Sequence, residues 1–172
     1  MTGAVDTPVV VERLTADSLR GLGGVVAPEG PSRLINGGAG RKWDHVVPSE
    51  SLPSPVNVGL LRSEPGSLEL RAVERHLHTA QFFLPTGPGP YVLVVAGNHP
   101  DAPQTEDVRA FLADSVGVWW APGTWHSPLL PVAAALLFLT AMRHADPPDL
   151  DLRELPSPLP LLLPESLTAE GA

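Results

Sequence analysis

Short apolar runs punctuated by proline and glycine recur along this chain, and helical periodicity is scarce. That spacing predicts an all-β sandwich or barrel. Val9-Val10-Val11 is β-branched and predicts a first strand, after which Thr15 can cap a short helix over 16–22 that stops at Gly23-Gly24. Val25-Val26 leads into a loop at Pro28–Pro31, and Val56–Leu61 alternates with strand period. Leu68–His78 predicts the long central strand, and Gln81–Leu84 continues it past a bulge or bend, because Gln81 has the wrong parity for an unbroken face. Val92–Ala96 is wholly apolar and predicts a strand buried on both sides. Val108–Leu112 fits a strand or one helical turn, whereas Val116–Trp120 predicts a strand closed by a turn at Pro122-Gly123. Val132–Met142 reads as helix by its alanines or as a closing strand through Leu136–Thr140. From Asp146 the prolines at 147, 148, 156, 158, 160 and 164 are read as forbidding regular structure. A domain over 1–145 is therefore expected, with 146–172 as an extended tail packed along the body or a partner subunit near Leu159–Leu163.

The central strand concentrates the chemistry. With period two, Leu68, Leu70, Ala72, Glu74, His76 and His78 share a face, and Glu69, Arg71, Arg75 and Thr79 share the other. One face thus runs from core into titratable groups. Leaving each polar group buried without a partner costs about 1–3 kcal/mol, so these groups are paired or serve a ligand. A second polar concentration is Arg41-Lys42-Trp43-Asp44-His45. Arg41 or Lys42 there can receive a substrate carboxylate, or the cluster is a solvated turn beside a strand.

Composition narrows the partners. The 172 residues suit one domain with a real core, and 19 acidic against 11 basic side chains give a net charge of −8. Nucleic acid, which wants a clustered basic face, is excluded as a partner. The chain has no cysteine, so disulfides and thiolate metal sites are excluded as well. Met1–Val11 lacks a basic and then apolar leader, and Leu129–Met142 is interrupted by Pro131 and too short for a bilayer core of about 30 Å. The expectation is a soluble, cytoplasmic protein acting on a small molecule, with no membrane partner.

His76-x-His78, then Gln81 and a glycine-rich turn, are answered 45 residues after Gln81 by His126 at the end of Gly117-x4-Pro122-Gly123-x-Trp125-His126. The pair resembles the two motifs of the cupin superfamily. That resemblance implies a double-stranded β-helix barrel with one divalent ion (Ni, Zn, Fe or Mn) held by His76, His78, Gln81 and His126, although metal-free cupins are also common. Imidazoles two apart on a strand suit such ions.

The resemblance narrows further. Ile35-Asn36-Gly37-Gly38 with Arg41 and Trp43-Asp44, Glu74-Arg75-His76 with Gln81, Phe83 and Pro85, Val92–Ala96, Arg109-Ala110-Phe111, Gly117, and Trp125-His126 with Pro128 are similar to the ureidoglycolate lyase family. Membership implies a homodimer that splits ureidoglycolate into glyoxylate and urea with a divalent metal such as nickel, and no organic cofactor. It also implies Glu74 and His126 as base and acid in either order, and His76 as metal ligand or proton partner. Asn36, Arg41, Gln81, Trp120 and Trp125 are the candidate substrate-binding residues, Arg41 receiving the carboxylate. As alternatives, Glu74 is a structural partner of Arg41 or of another chain's Arg75, and one or two of Trp119, Trp120 and Trp125 are packing residues. His45, His99 and His144 are read as surface or loop residues.

The chain also departs from the family pattern at Leu77, Ala80, Trp119-Trp120 and Ser127. Two indoles at a pocket wall imply a reshaped, more apolar cavity. The competing readings are therefore a specialised-pathway lyase, isomerase or cyclase on the same scaffold, and a non-catalytic cupin that binds a small ligand.

Overall fold

A computed structural model describes residues 7–44, 46–47, 55–101, 103–143 and 149–168. The strands are β1 (Val9–Arg13), β2 (Gly23–Val26), β3 (Arg33–Ile35), β4 (Gly40–Lys42), β5 (Val56–Ser63), β6 (Glu69–His76) and β7 (Gln81–Pro85). They continue with β8 (Pro90–Val95), β9 (Arg109–Asp114), β10 (Gly117–Trp120), β11 (Leu130–Pro131), β12 (Leu136–Arg143) and β13 (Leu150–Leu162), before the one-turn helix α1 (Glu165–Thr168). Two main sheets carry the fold, one ordered β11-β8-β9-β1-β13-β6 and the other β2-β10-β7-β12-β5, and β3 pairs with β4 in a separate hairpin. The all-β expectation holds. Among the described residues no helix is long and apolar enough to cross a membrane.

The six-stranded sheet curls until it meets itself. Residue 126 bridges antiparallel both to Glu74 on β6 and to Val95 on β8, so β8, β9, β1, β13, β6 and the segment around His126 form a hydrogen-bonded ring. Every member sends one face inward: Val92, Val94 and Ala96, Ala110 and Leu112, Val11, Leu159 and Leu161, Leu70 and Val73, and Trp125 form one buried cluster. The other face of β8 and β9 contributes Tyr91, Leu93, Val95, Phe111 and Ala113, which pack against Phe83, Val118, Trp120 and Phe138 of the five-stranded sheet. Two apolar layers thus share strands β8 and β9. This is why Val92–Ala96 carries no charge: both of its faces are interior.

Four expectations change on folding. The segment 16–22 is not a helix but successive turns, with Ser18, Arg20 and Leu22 donating to Thr15, Asp17 and Leu19 three residues back. Gly21 sits at φ +79°, a left-handed conformation that ends helical propagation, and Leu19 is turned fully into the core. The expected cap by the Thr15 side chain is not formed: Thr15 N–H donates to Ser18 Oγ instead, and the two hydroxyls lie 2.9 Å apart.

The stretch described from Asp149 on is not irregular. β13 runs antiparallel to β6 and parallel to β1. Its ladder to β6 breaks between Glu154 and Leu159, which takes Pro156 and Pro158 out of the positions where a missing N–H would be felt. The same break shifts the face of β6, because Leu70 and Val73 point into the ring together. Leu70 therefore does not share a face with Glu74 and His76 as strict alternation predicts.

Gln81 does not continue β6 either. β6 and β7 belong to different sheets, so residues 77–80 carry the chain from one layer to the other. Of the open readings, Val108–Leu112 lies within or beside strand β9, and Leu136–Arg143 is strand β12, which pairs with both β5 and β7.

Candidate functional site

Glu74 and His126 are locked opposite each other by the backbone. Glu74 N–H donates to His126 O at 2.8 Å and His126 N–H donates to Glu74 O at 2.9 Å, the reciprocal pair that places two side chains side by side on one face. Alternation then puts Val73, Arg75 and Trp125 on the ring side, and Glu74, His76 and His126 on the side facing the second sheet. The turn before His126 needs its glycine. Gly123 has φ +82°, its N–H donates to His76 O at 2.7 Å, and a Cβ there would meet Asn98 Oδ1 at 2.6 Å.

On the shared face Glu74 Oε1 lies 3.5 Å from His126 Nε2. The rings of His76 and His126 are 6.2 Å apart, and Trp120 stacks on His126 at 5.2 Å. Gln81, the first residue of β7, reaches across from the second sheet, its Oε1 3.1 Å from His126 Nε2. His126 is almost fully buried, whereas the Glu74 side chain is 25% exposed and so meets solvent.

Proton positions follow from the partners. His126 Nδ1 is 2.9 Å from Thr124 O, a carbonyl that can only accept, so Nδ1 carries hydrogen. Nε2 then faces an amide oxygen and a carboxylate oxygen. Lone pairs converging on one another repel, and the arrangement is satisfied when a cation, proton or metal, stands on Nε2, or when the Gln81 amide turns its NH2 inward. The close approach of the His126 ring nitrogen holds the Glu74 carboxyl below its ordinary range, followed by the charges of His126 and His76, against the opposing effect of burial. Burial first, and then the charge of His126, lower the pKa of His76, so its imidazole is neutral at pH 7.

Glu74, His76 and His126 can present ligating atoms that lie within 4.8 Å of one another. One carboxylate and two imidazoles suit a borderline divalent ion, and the oxygen–nitrogen convergence at His126 Nε2 is what such an ion would relieve. The residues present fit a metal.

The other expected residues divide. Gln81 and Trp120 are at the site. His78 is not: it is exposed on the turn after β6, where its backbone N–H donates to Asp149 Oδ2 at 2.8 Å, and it stands outside the ligating group. Trp125 points into the ring rather than to the site, its indole N–H shared between His99 O and Asp101 O, with the Arg75 guanidinium 4.3 Å over its ring. Arg75 pairs with Asp151 and donates to the carbonyls of His99 and Pro100, so neither Arg75 nor Arg41 is the partner that Glu74 uses within this chain. Trp119 stacks on Phe82 on the opposite face from Trp120, so one indole of the pair, not two, walls the site.

Asn36 and Arg41 are exposed on the β3–β4 hairpin, where Arg41 donates to Ser32 Oγ. Beside them Lys42 and Arg33 hold the Asp44 carboxyl down to about 2. His99 is half exposed, 3.5 Å from Asp107, while His45 and His144 lie outside the described residues.

Sequence reasoning missed Asp149. Its buried carboxylate lies 3.4 Å from His76 Nδ1. The signal was the alternation Asp149-Leu-Asp151 against Arg75 and His76 of β6, concealed because the stretch was read as a tail.

The family model described as ureidoglycolate lyase matches residues 6–161. Curated relatives named ureidoglycolate lyase are 32% identical in Azotobacter vinelandii, over 82% of this chain and 88% of the relative. In Burkholderia cepacia the identity is 34% over 84% and 85% of the two chains. In a Chelativorans species it is 31% over 91% and 98%. With the match running from before β1 to Leu161 near the end of β13 and enclosing both halves of the Glu74–His126 bridge, this chain belongs to the ureidoglycolate lyase family.

Proposed function

We propose that this protein cleaves ureidoglycolate to glyoxylate and urea, as a carbon–nitrogen lyase. The observation that carries the reading is the backbone bridge that sets an ionised Glu74 against His126 Nε2, in a chain of this family. Ureidoglycolate is a carbinolamide: the hydroxyl loses its proton, the C–N bond breaks, and the departing urea nitrogen gains a proton, with no water consumed.

Glu74, ionised and open to solvent on one side, takes the hydroxyl proton. His126, its Nδ1–H fixed to the Thr124 carbonyl, gives a proton from Nε2 to the urea nitrogen. At 3.5 Å, Glu74 then passes its acquired proton to His126 and both groups are reset. Positioned acid and base groups each contribute on the order of 10²–10⁴-fold. A divalent metal, in place of the proton on His126 Nε2, would be held by Glu74, His76 and His126, with Gln81 beside them, and would supply Lewis acidity that lowers the hydroxyl pKa. Arg41 is assigned to the substrate carboxylate, and the two main sheets to the cupin double-stranded β-helix.

A homodimer is proposed through the outer face of the five-stranded sheet. Register places Val56, Val58 and Leu60 of β5, Leu137 and Leu139 of β12, and Leu84 and Trp119 on that face. An antiparallel sheet normally turns a polar face outward. Here Val58 is 59% and Leu60 68% exposed, and among the described strands β5 stands at the sheet's edge. A second copy offers the same apolar chemistry, and Arg62 and Arg143 stand at opposite corners of the β5–β12 pair.

The function is tested by following urea and glyoxylate release from ureidoglycolate with the purified protein. Release no faster than the spontaneous reaction overturns it.

A further inference from the structure

The carboxylate of Asp149 is buried, with its side chain 7% exposed, and among the described residues Oδ1 has no formed hydrogen bond. Orphaned buried carboxylate oxygens are costly, so the group facing this one matters. That group is His76 Nδ1, 3.4 Å away: too far for a formed bond, and within reach of a small side-chain rotation. The other oxygen, Oδ2, accepts the His78 N–H at 2.8 Å and so fixes the carboxylate plane. The Asp149 carbonyl also accepts from Leu77 N–H. One residue at the start of β13 thus anchors the turn that follows His76 and aims an oxygen at its ring.

His126 shows what such an oxygen does. Its Nδ1–H is fixed by the Thr124 carbonyl, which leaves Nε2 to the site. A neutral imidazole carries one hydrogen, and the choice of nitrogen decides which lone pair is offered. An acceptor-only carboxylate on the Nδ1 side selects the Nδ1–H tautomer.

We propose that Asp149 is a positioning residue of the active site, whose Oδ1 accepts from His76 Nδ1–H and thereby directs the His76 Nε2 lone pair toward Glu74 and His126. The inference rests on the lyase reading for its kinetic consequence and on geometry alone for the tautomer.

Asp149→Asn separates this role from mere anchoring. Asparagine has one acceptor oxygen, and the His78 N–H claims it. The NH2 then faces His76 Nδ1, where it donates and drives hydrogen to Nε2. Expected are a retained thermal midpoint, kcat for urea release reduced about 10–100-fold with KM within threefold, and a changed His76 signature in tautomer-sensitive ¹⁵N spectra of the protein as purified, assigned against His76→Gln. Asp149→Ala, which removes both contacts, should lose thermal stability as well. An Asp149→Asn protein with an unchanged His76 spectrum overturns the proposal, and so does one with the tautomer switched but kcat within twofold of wild type. If the wild-type protein releases no urea, the lyase reading fails, while the spectra still decide whether Asp149 sets the tautomer.

Discussion

Glu74→Gln keeps the shape of the side chain and removes its charge 3.5 Å from His126 Nε2. Two unit charges at that distance interact by about 5 kcal/mol at an effective dielectric of about 20, and by roughly 1 kcal/mol in bulk water. Glu74 is 25% exposed, so a value between these limits applies; about 2–3 kcal/mol corresponds to roughly 30–150-fold. Loss of the base itself is worth on the order of 10²–10⁴-fold, and the two effects overlap because they describe the same proton. The expected outcome is a fall in kcat of at least about 100-fold. The fold survives, because the bonds between residues 74 and 126 are made by backbone atoms that the substitution leaves in place. A loss of about 1 kcal/mol would move the melting midpoint by only roughly 2–4 °C. Initial rates of urea release, alongside circular dichroism melts, provide the comparison. A folded Glu74→Gln protein turning over within threefold of wild type would refute the assignment of Glu74 as base and the electrostatic reasoning behind it.

Further outcomes follow from the same geometry. His78→Ala should leave both turnover and metal content by elemental analysis unchanged, since among the described residues only the backbone of His78 is engaged; a loss of bound metal would return His78 to the ligand set. Both Glu74 and His76 have pKa values lowered on folding, so the folded chain binds fewer protons than the unfolded one. Their contribution to stability is present above the ordinary values of 6.5 for His76 and 4.5 for Glu74 and is lost as pH falls through the folded ones. The urea midpoint should therefore fall from pH 7 to pH 5, with His76→Gln removing part of that fall; a His76→Gln profile parallel to wild type contradicts it. Leu60→Asp, at the most exposed point of the β5 face, should convert a sedimenting dimer to monomer without altering circular dichroism, and a dimer that persists places the interface elsewhere.

How much was legible beforehand depends on how local each determinant is. Val92–Ala96 announced a doubly buried strand, since an apolar run of that length carries its own signal, and β8 is shared by both cores. The motif around Glu74-Arg75-His76 and the one ending at Trp125-His126 were readable as two halves of one site, because residue type and spacing survive in the sequence. The place where they join was not. The Glu74–His126 bridge is a non-local backbone pairing, and whether Trp120 or Trp125 faces His126 depends on which side of that bridge becomes the ring interior.

The same division explains the misreadings. His78 has the right type and parity, but β6 ends at His76 and the turn carries His78 outward. The prolines after 146 argued locally against a strand, yet a register break opposite β6 absorbs two of them and lets Asp149 and Asp151 meet His76 and Arg75. The chain by itself determined the β class, the apolar layers and the chemical inventory, because those follow from period and composition. Tertiary structure alone decided which carboxylate faces which imidazole, because such partnerships are set by the register between strands far apart along the chain.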